Sequence, residues 1–167
     1  LDAGDVFATR VVDVAAGATA DTALEALAVD GAQLTAEGVQ GIADGTAQAV
    51  PQQGEPTLAP KLTLDDGLLD WSQPAERVFA RFRGVTPEPG AHTTVDGLRV
   101  KILDAAPSGD GVALGPGEII ATKSALLIGT GSTPLSITRL QPAGKGAMNA
   151  VDWWRGQRDT ENVRAGA

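Results

Sequence analysis

The spacing of hydrophobic positions changes along the chain. Over residues 5–14, β-branched and polar side chains alternate, which predicts a half-buried strand. Apolar residues then recur every three or four positions, so residues 19–44 are predicted to form a helix that is interrupted at Gly31. Thr19 or Asp21 can supply the side-chain cap of this helix.

Periodicity disappears before the next helix. The stretch AVPQQGEPTLAPK contains three prolines and two glutamines, a composition typical of a linker, which we place at residues 50–65. Ser72 and Pro74 then open a helix that has one apolar face and one basic face. The apolar face carries Val78, Phe79 and Phe82, and the basic face carries Arg77 and Arg81.

Beyond Gly84 the pattern is typical of short strands that are separated by glycine and proline turns. The predicted strands cover residues 92–95, 98–103, 118–122, 125–129 and 135–140. Such a series predicts a small barrel or sandwich. Asn149, with Asp152 three positions later, predicts the start of a last helix, in which Trp153 and Trp154 supply apolar area.

Composition and charge divide the chain in a similar way. Hydrophobic residues make up 43% of the 167 residues and the mean hydropathy is −0.01, values typical of a globular protein. No apolar run approaches the roughly 18 residues that a membrane span requires. The absence of cysteine excludes disulfides and cysteine zinc sites. Residues 1–60 contain nine of the 21 acidic and one of the 13 basic residues, so this segment carries the whole net charge of −8 and two units are indicated.

The common catalytic motifs are absent from the sequence. It contains no P-loop, no GxGxxG after a strand, no GxSxG and no HExxH. The single histidine, His92, has no acid or nucleophile at a telling spacing, so we assign it a structural role. The adjacent carboxylates Asp65 and Asp66 are interpreted as a solvated face, and no metal site is predicted.

Four segments of the chain resemble, in order and at matching intervals, the second half of methionyl-tRNA formyltransferases. They are LDAGD at 1–5, LDWSQPAERVFARFRGVTPEPGAHT at 69–93, GLRVKI at 97–102 and LQPAGKGAMNAVDWWRG at 140–156. The LQPAGK turn separates this family from sugar formyltransferases and formyl-folate hydrolases that have a related catalytic domain. The resemblance covers essentially the whole chain.

This resemblance implies a fold and an activity. Members of the family have a Rossmann-like catalytic domain, a linker and an OB-like C-terminal barrel. The expected fold class is therefore mainly β, with an OB-like tRNA-binding domain at 66–167, a linker at 50–65, and a strand and helix at 1–49 that are the remnant of the α/β formyltransferase domain. The implied reaction transfers a formyl group from 10-formyltetrahydrofolate to the amino group of methionine on initiator tRNA.

The resemblance also implies which catalytic group is present. Asp2 matches the aspartate that orients the catalytic histidine in the family, whereas from the residues alone it is a turn aspartate beside Gly4. The family's catalytic Asn and His lie upstream of the LDxGD motif. We therefore expect a fragment that is inactive by itself and binds no folate. Initiator methionyl-tRNA is the expected partner, and the expected state is a cytoplasmic monomer with no membrane contact.

Phosphate contacts are expected from lysines and arginines at positions that match the family. The candidates are Lys61 in the linker, Arg83, Lys145 on its glycine turn, Arg81 and Lys101. We expect the exposed backbone amides of the turn to assist Lys145. The alternative is that Lys145 is only a turn residue and that Arg81 belongs to a solvated helix face.

Several positions depart from the family pattern. Leu64 replaces a second linker lysine, Leu68 replaces a basic or polar residue, and Gly146 replaces the second lysine of a GKK turn. His92 stands where an aromatic residue is frequent. Together with the acidic first segment, these departures leave a second hypothesis open, namely a non-catalytic β-barrel that acts as a binding or interaction module.

Overall fold

The chain divides into two compact units. The computed structural model describes residues 3–109, 111–158, 160 and 162–166. Unit 1 covers Leu1–Lys61 and unit 2 covers Leu62–Ala167. Within the described residues, no helix has both the length and the apolarity needed to cross a bilayer.

Unit 1 contains one long helix, α1 (Ala20–Ala43). Thr19 caps it as predicted, because its side-chain oxygen accepts a hydrogen bond from the amide of Thr22 at 3.5 Å. The predicted interruption at Gly31 is wrong: the helix continues through it, since one glycine costs only about 1 kcal/mol. No residue of α1 is buried.

The strand predicted over residues 5–14 is wrong. Only Val6 pairs there, through a single antiparallel bridge to Val50 with two N–H···O bonds of 2.9 Å. Alternating side chains favour an extended chain, but a strand also needs a neighbouring backbone to satisfy its amides and carbonyls. Arg10 instead contacts α1, with its guanidinium 3.1 Å from Glu37 and 3.7 Å from Asp30.

Unit 2 is built on one six-stranded antiparallel sheet. The strands are β1 (His92–Val95), β2 (Leu98–Pro107), β3 (Ile119–Ala121), β4 (Leu126–Ile128), β5 (Leu135–Pro142) and β6 (Met148–Asn149). Their order is β1-β2-β5-β4-β3, with β6 paired to β5. The five predicted strands and the mainly β class are thus confirmed, while β2 and β5 extend beyond their predicted ends and the two-residue β6 was not predicted.

The sheet curls into an antiparallel half-barrel. The pairing of β2 with β5 shifts register on both sides of Asp104, and such bulges bend and twist a sheet. Residues 164 and 165 lie between its two edges, because Arg164 bridges Glu118 just before β3 and Ala165 bridges Val95 at the end of β1.

Two helices cover the concave apolar face. In α2 (Ala75–Gly84), Val78 and Phe82 are buried as predicted. In α3 (Ala150–Arg155), Trp153 and Trp154 are buried and Asn149 caps the first turn, accepting from the amides of residues 151 and 152. These side chains complete a core with the inward residues of the strands, among them Val100, Ile102, Leu135, Ile137 and Leu140.

The start of α2 is capped from another part of the chain. Ser72 was predicted to open this helix, but Ser72 donates its hydroxyl to Asp70. The amide of Ala75 instead donates to the side-chain oxygen of Ser132 at 3.0 Å, and Gly131 N–H donates to the carbonyl of Gln73. A loop nearly sixty residues away in sequence therefore fixes where the helix begins.

Candidate nucleic-acid interface

A small cleft lies on the outer face of the sheet in unit 2. The register of three strands places His92, Lys101 and Gln141 abreast, since His92 pairs with Lys101 and Lys101 pairs with Gln141. Arg99 lies two residues before Lys101 on β2 and therefore on the same face. The cleft has a volume of about 250 Å³.

One wall of the cleft is the loop that precedes β1. Gly90 adopts a φ of 97°, a conformation that favours glycine, and a Cβ at this position would overlap Cε of Lys101. The lysine stem therefore lies directly on bare backbone. His92 is 8% exposed and its Nδ1 lies 3.1 Å from the carbonyl oxygen of Gly90, so it braces this wall, in agreement with the structural role predicted for it.

The opposite wall is the turn between β5 and β6. The amide of Lys145 donates to the carbonyl of Pro142 at 3.0 Å, and Gly144 takes the positive φ of 77° that such a turn requires. The Gln141 side chain donates from Nε2 to the carbonyl of Lys145 at 2.9 Å. The turn itself thus uses the amide of Lys145, and assistance to Lys145 from the other exposed amides of the turn stays a prediction.

The cleft is positive. Arg99 and Lys101 line it, and no carboxylate is found among its described lining residues. Within the part of the chain that the structure describes, the ion pairs involve neither of these cations nor Lys145. Unpaired cations on a surface retain their full attraction for phosphate, which surface salt bridges would reduce.

The arginines of α2 have local contacts. Arg81 donates to the carbonyl of Asp66 at 3.3 Å, and its guanidinium is 3.9 Å from the Asp66 carboxylate. The guanidinium carbon of Arg83 lies 5.2 Å from the centroid of the Phe79 ring. Arg81 and Arg77 line a separate depression of about 290 Å³ beside α2. Arg81 thus contacts Asp66, and Arg83 contacts Phe79, within unit 2.

Two carboxylates near α2 are held in their charged form. The pKa of Asp66 is lowered by a backbone hydrogen bond from Thr63, then by the Thr63 hydroxyl, with a smaller contribution from Arg81. The pKa of Asp70 is lowered by hydrogen bonds from the side chains of Ser72 and Gln73. Both groups stabilise turns. In the described residues, histidine, aspartate and glutamate side chains form no group of three that could hold a metal ion.

Two predicted residues do not belong to the segment that forms unit 2. Lys61 is exposed and lies in unit 1. Asp2 lies outside the described residues. The structure therefore brings Lys101 into the cleft, with Lys145 on the turn that forms its wall, and leaves Arg81 and Arg83 on α2.

Sequence reasoning missed two residues of the cleft. Arg99 precedes Lys101 by two positions in GLRVKI, and residues two apart on a strand lie on the same face. Strand periodicity alone could therefore have found Arg99. Gln141 carries no such signal, because its place beside Lys101 depends on the pairing of β2 with β5.

Comparison with protein families identifies this unit. A family model described as "Formyl transferase, C-terminal domain" matches residues 61–158. The chain belongs to this family. The match covers the sheet, α2 and α3, and therefore includes the whole cleft.

Curated relatives confirm the resemblance found in the sequence. A methionyl-tRNA formyltransferase of Clavibacter sepedonicus is 53% identical over 93% of this chain and 51% of that protein. Enzymes of the same name from Arthrobacter sp. (strain FB24) and Streptomyces coelicolor are 48% and 44% identical over 98% and 99% of the chain. The chain spans about half the length of these relatives.

Solved structures share the fold. HypX from Aquifex aeolicus in complex with tetrahydrofolic acid has a TM-score of 0.73 and 24% identity, over 93% of this chain and 28% of HypX. A multiply substituted HypX variant has a TM-score of 0.72 and 23% identity, over 95% of this chain and 29% of that one. At these identities, the likeness concerns the fold alone.

Proposed function

We propose that this chain is the tRNA-positioning portion of a methionyl-tRNA formyltransferase, a cytoplasmic enzyme of translation initiation. The whole enzyme transfers a formyl group from 10-formyltetrahydrofolate to methionyl-initiator tRNA. The observation that carries the proposal is the unpaired positive cleft, which lies in the segment that the family model matches. Lysine and arginine contacts to phosphate supply affinity and orientation without reading sequence.

The proposed contacts follow the geometry of unit 2. Lys101 and Lys145 bind the tRNA backbone from the cleft and from its wall, and both are free of ion pairs with the described carboxylates. Arg81 and Arg83 extend the basic surface along α2, and Lys61 adds a contact from unit 1. Because Arg81 and Arg83 also have structural contacts, we assign them smaller shares of the affinity than Lys101 and Lys145.

The proposal assigns a different role to each segment of the chain. Residues 66–167 form an OB-like barrel that binds tRNA, which is supported by the bridges of residues 164 and 165 to both edges of the curled sheet. Residues 50–65 are the linker, and residues 1–49 are the end of the Rossmann-like catalytic domain. Exposed apolar side chains on α1 support the last assignment, since Leu24, Val39 and Ile42 are each more than half exposed.

Catalysis in this proposal needs more than these 167 residues. Asp2 orients the catalytic histidine of the whole enzyme, and the family's Asn and His stabilise and move charge on the formyl group. When catalytic groups act as a unit, removing one of them removes nearly all of the rate enhancement that the set provides. A polypeptide of these residues therefore binds initiator tRNA as a monomer without formylating it, and it does not bind 10-formyltetrahydrofolate.

Binding of initiator tRNA across a salt series tests the proposal. We expect the slope of log affinity against log salt to become shallower by about 0.9 in Lys145→Ala, because one neutralised phosphate is lost. Lys123→Ala is the matched control: Lys123 is exposed on the hairpin between β3 and β4 and does not line the cleft. Absent binding at low salt, or affinity that salt does not change, would refute the proposal.

A non-catalytic interaction module is the second candidate, and the apolar surface of unit 1 favours it. Val11 is 90% exposed and Val29 is 74% exposed. No residue of α1 is buried. A module that binds protein partners through this surface would show salt-independent association and no preference for tRNA. The same salt series therefore separates the two candidates.

A further inference from the structure

The cleft on the sheet has a second cation that sequence comparison did not single out. Arg99 and Lys101 are two residues apart on β2, which places their Cα atoms about 6.6 Å from each other on one face of the strand. Arg99 is exposed and Lys101 is half-buried. Two cations at this spacing are close enough to converge on the oxygens of a single phosphate group.

The surroundings define where that phosphate would lie. The Gly90 backbone supports the Lys101 stem on one side, and the turn that follows Pro142 faces it from the other. The main chain of Arg99 is tied to the turn, because its carbonyl accepts a hydrogen bond from the amide of Ala143 at 2.9 Å. A volume of about 250 Å³ admits one sugar-phosphate unit and is too small for a duplex.

The turn that carries Lys145 has a fixed backbone. Gln141 ties the Lys145 carbonyl to β5, and the Lys145 amide closes the turn, so the fold fixes the backbone from which the ammonium group extends. Lys145 is exposed and is not among the residues that line the cleft. Its side chain is therefore assigned to a different phosphate from the one assigned to Arg99 and Lys101.

We propose that Arg99 and Lys101 together bind one backbone phosphate of the tRNA, which makes Arg99 a binding residue of equal rank with Lys101. Gln141 is a positioning residue that fixes the wall of the cleft. This inference rests on the proposed tRNA-binding function. It assigns one phosphate to two cations, whereas independent surface charges would each neutralise a phosphate of their own.

A double-mutant cycle with initiator tRNA tests this assignment. We expect Arg99→Gln and Lys101→Gln each to weaken binding by about tenfold, the effect of losing one charge-assisted hydrogen bond. The double variant should lose clearly less than the product of the two single losses, because both side chains serve the same phosphate. Its salt slope should fall by about 0.9 in total, which corresponds to one phosphate.

A second pair of variants supplies the contrast. Lys101→Gln combined with Lys145→Gln should lose affinity additively, and its change in salt slope should equal the sum of the changes in the two single variants, because the two lysines bind different phosphates. Lys123→Gln serves as the control for a simple loss of surface charge, and thermal unfolding verifies that each variant is folded. Arg99 and Lys101 lie on β2, and the backbone pairing of this strand does not depend on their side chains.

The outcomes separate this inference from the proposed function. If tRNA binds and depends on Lys145 but Arg99→Gln changes neither affinity nor slope, the inference is overturned and the proposed function stands. Additive losses with a two-phosphate change of slope in the Arg99–Lys101 pair also overturn it. If the unsubstituted chain does not bind tRNA at low salt, both fail together.

Discussion

A buried hydrogen bond between two side chains links the segment before α2 to the first strand of the sheet. Nε1 of Trp71 donates to the hydroxyl of Thr93 at 2.9 Å, and these residues are 3% and 0% exposed. Thr93 lies beside His92 on β1, so this bond stabilises the strand that forms one side of the cleft. Substituting Thr93→Val keeps the branched shape and removes the acceptor.

The expected magnitude follows from the burial. An indole N–H that is left unsatisfied in the core costs about 1–3 kcal/mol. The added methyl group is buried in place of a hydroxyl and offsets roughly 0.8 kcal/mol of this cost. We therefore expect Thr93→Val to lower the free energy of unfolding by about 0.2–2.2 kcal/mol. Thr94→Val, at the half-buried neighbouring position, should stay within about 0.5 kcal/mol of the unsubstituted chain.

Urea unfolding followed by tryptophan fluorescence measures both values. The clearest check is a cycle with Trp71→Phe, because that substitution removes the N–H donor, and in its background Thr93→Val should be nearly neutral. Trp153 and Trp154 continue to report unfolding in that background. Equal effects of Thr93→Val and Thr94→Val, or an undiminished effect in the Trp71→Phe background, would contradict this account of the hydrogen bond.

Two further predictions concern binding and pH. Gly146→Lys should strengthen tRNA binding and steepen the salt slope by about 0.9, since a Cβ at Gly146 meets nothing within 4 Å and the new lysine adds a phosphate contact next to Lys145; an unchanged slope would count against Lys145 and its turn as a phosphate site. Asp70→Asn should lower the urea midpoint at neutral pH. Because hydrogen bonds lower the pKa of Asp70 in the folded chain, this carboxylate contributes stability above its ordinary pKa of 3.8 and loses it as the pH falls through the lower folded value. The difference between the two chains should therefore shrink below pH 3.8, and a difference that is constant with pH would be evidence against this linkage.

Local signals in the sequence were enough to predict most elements of unit 2. The apolar spacing of Val78 and Phe82 predicts the buried face of α2, and the side chain of Asn149 predicts the start of α3. Both predictions depend on interactions within one or two helical turns. These interactions are the same whatever the helix packs against. The strands followed from alternation between glycine turns for the same reason.

The ladder between distant strands was not predictable in this way. Residues 5–14 alternate like a strand, yet Val6 alone finds a partner, because pairing depends on which backbone lies alongside. The Ser132 cap on α2 and the bridges of Arg164 and Ala165 likewise join segments that are far apart in sequence. Contacts of this kind require loop closure, and their partners are decided only when the whole core forms.

The candidate site divides along the same line. The sequence by itself determined that Lys101 and Lys145 are cations in segments that resemble methionyl-tRNA formyltransferases, and that Gly144 forms a turn, because charge and turn conformation are properties of short segments. Tertiary structure alone decided that Arg99 and Lys101 lie in a cleft beside Gln141 and that Arg81 is held by Asp66. The physical reason is that the pairing of β2 with β5 and the packing of α2 set these distances, and both form only through contacts between remote parts of the chain.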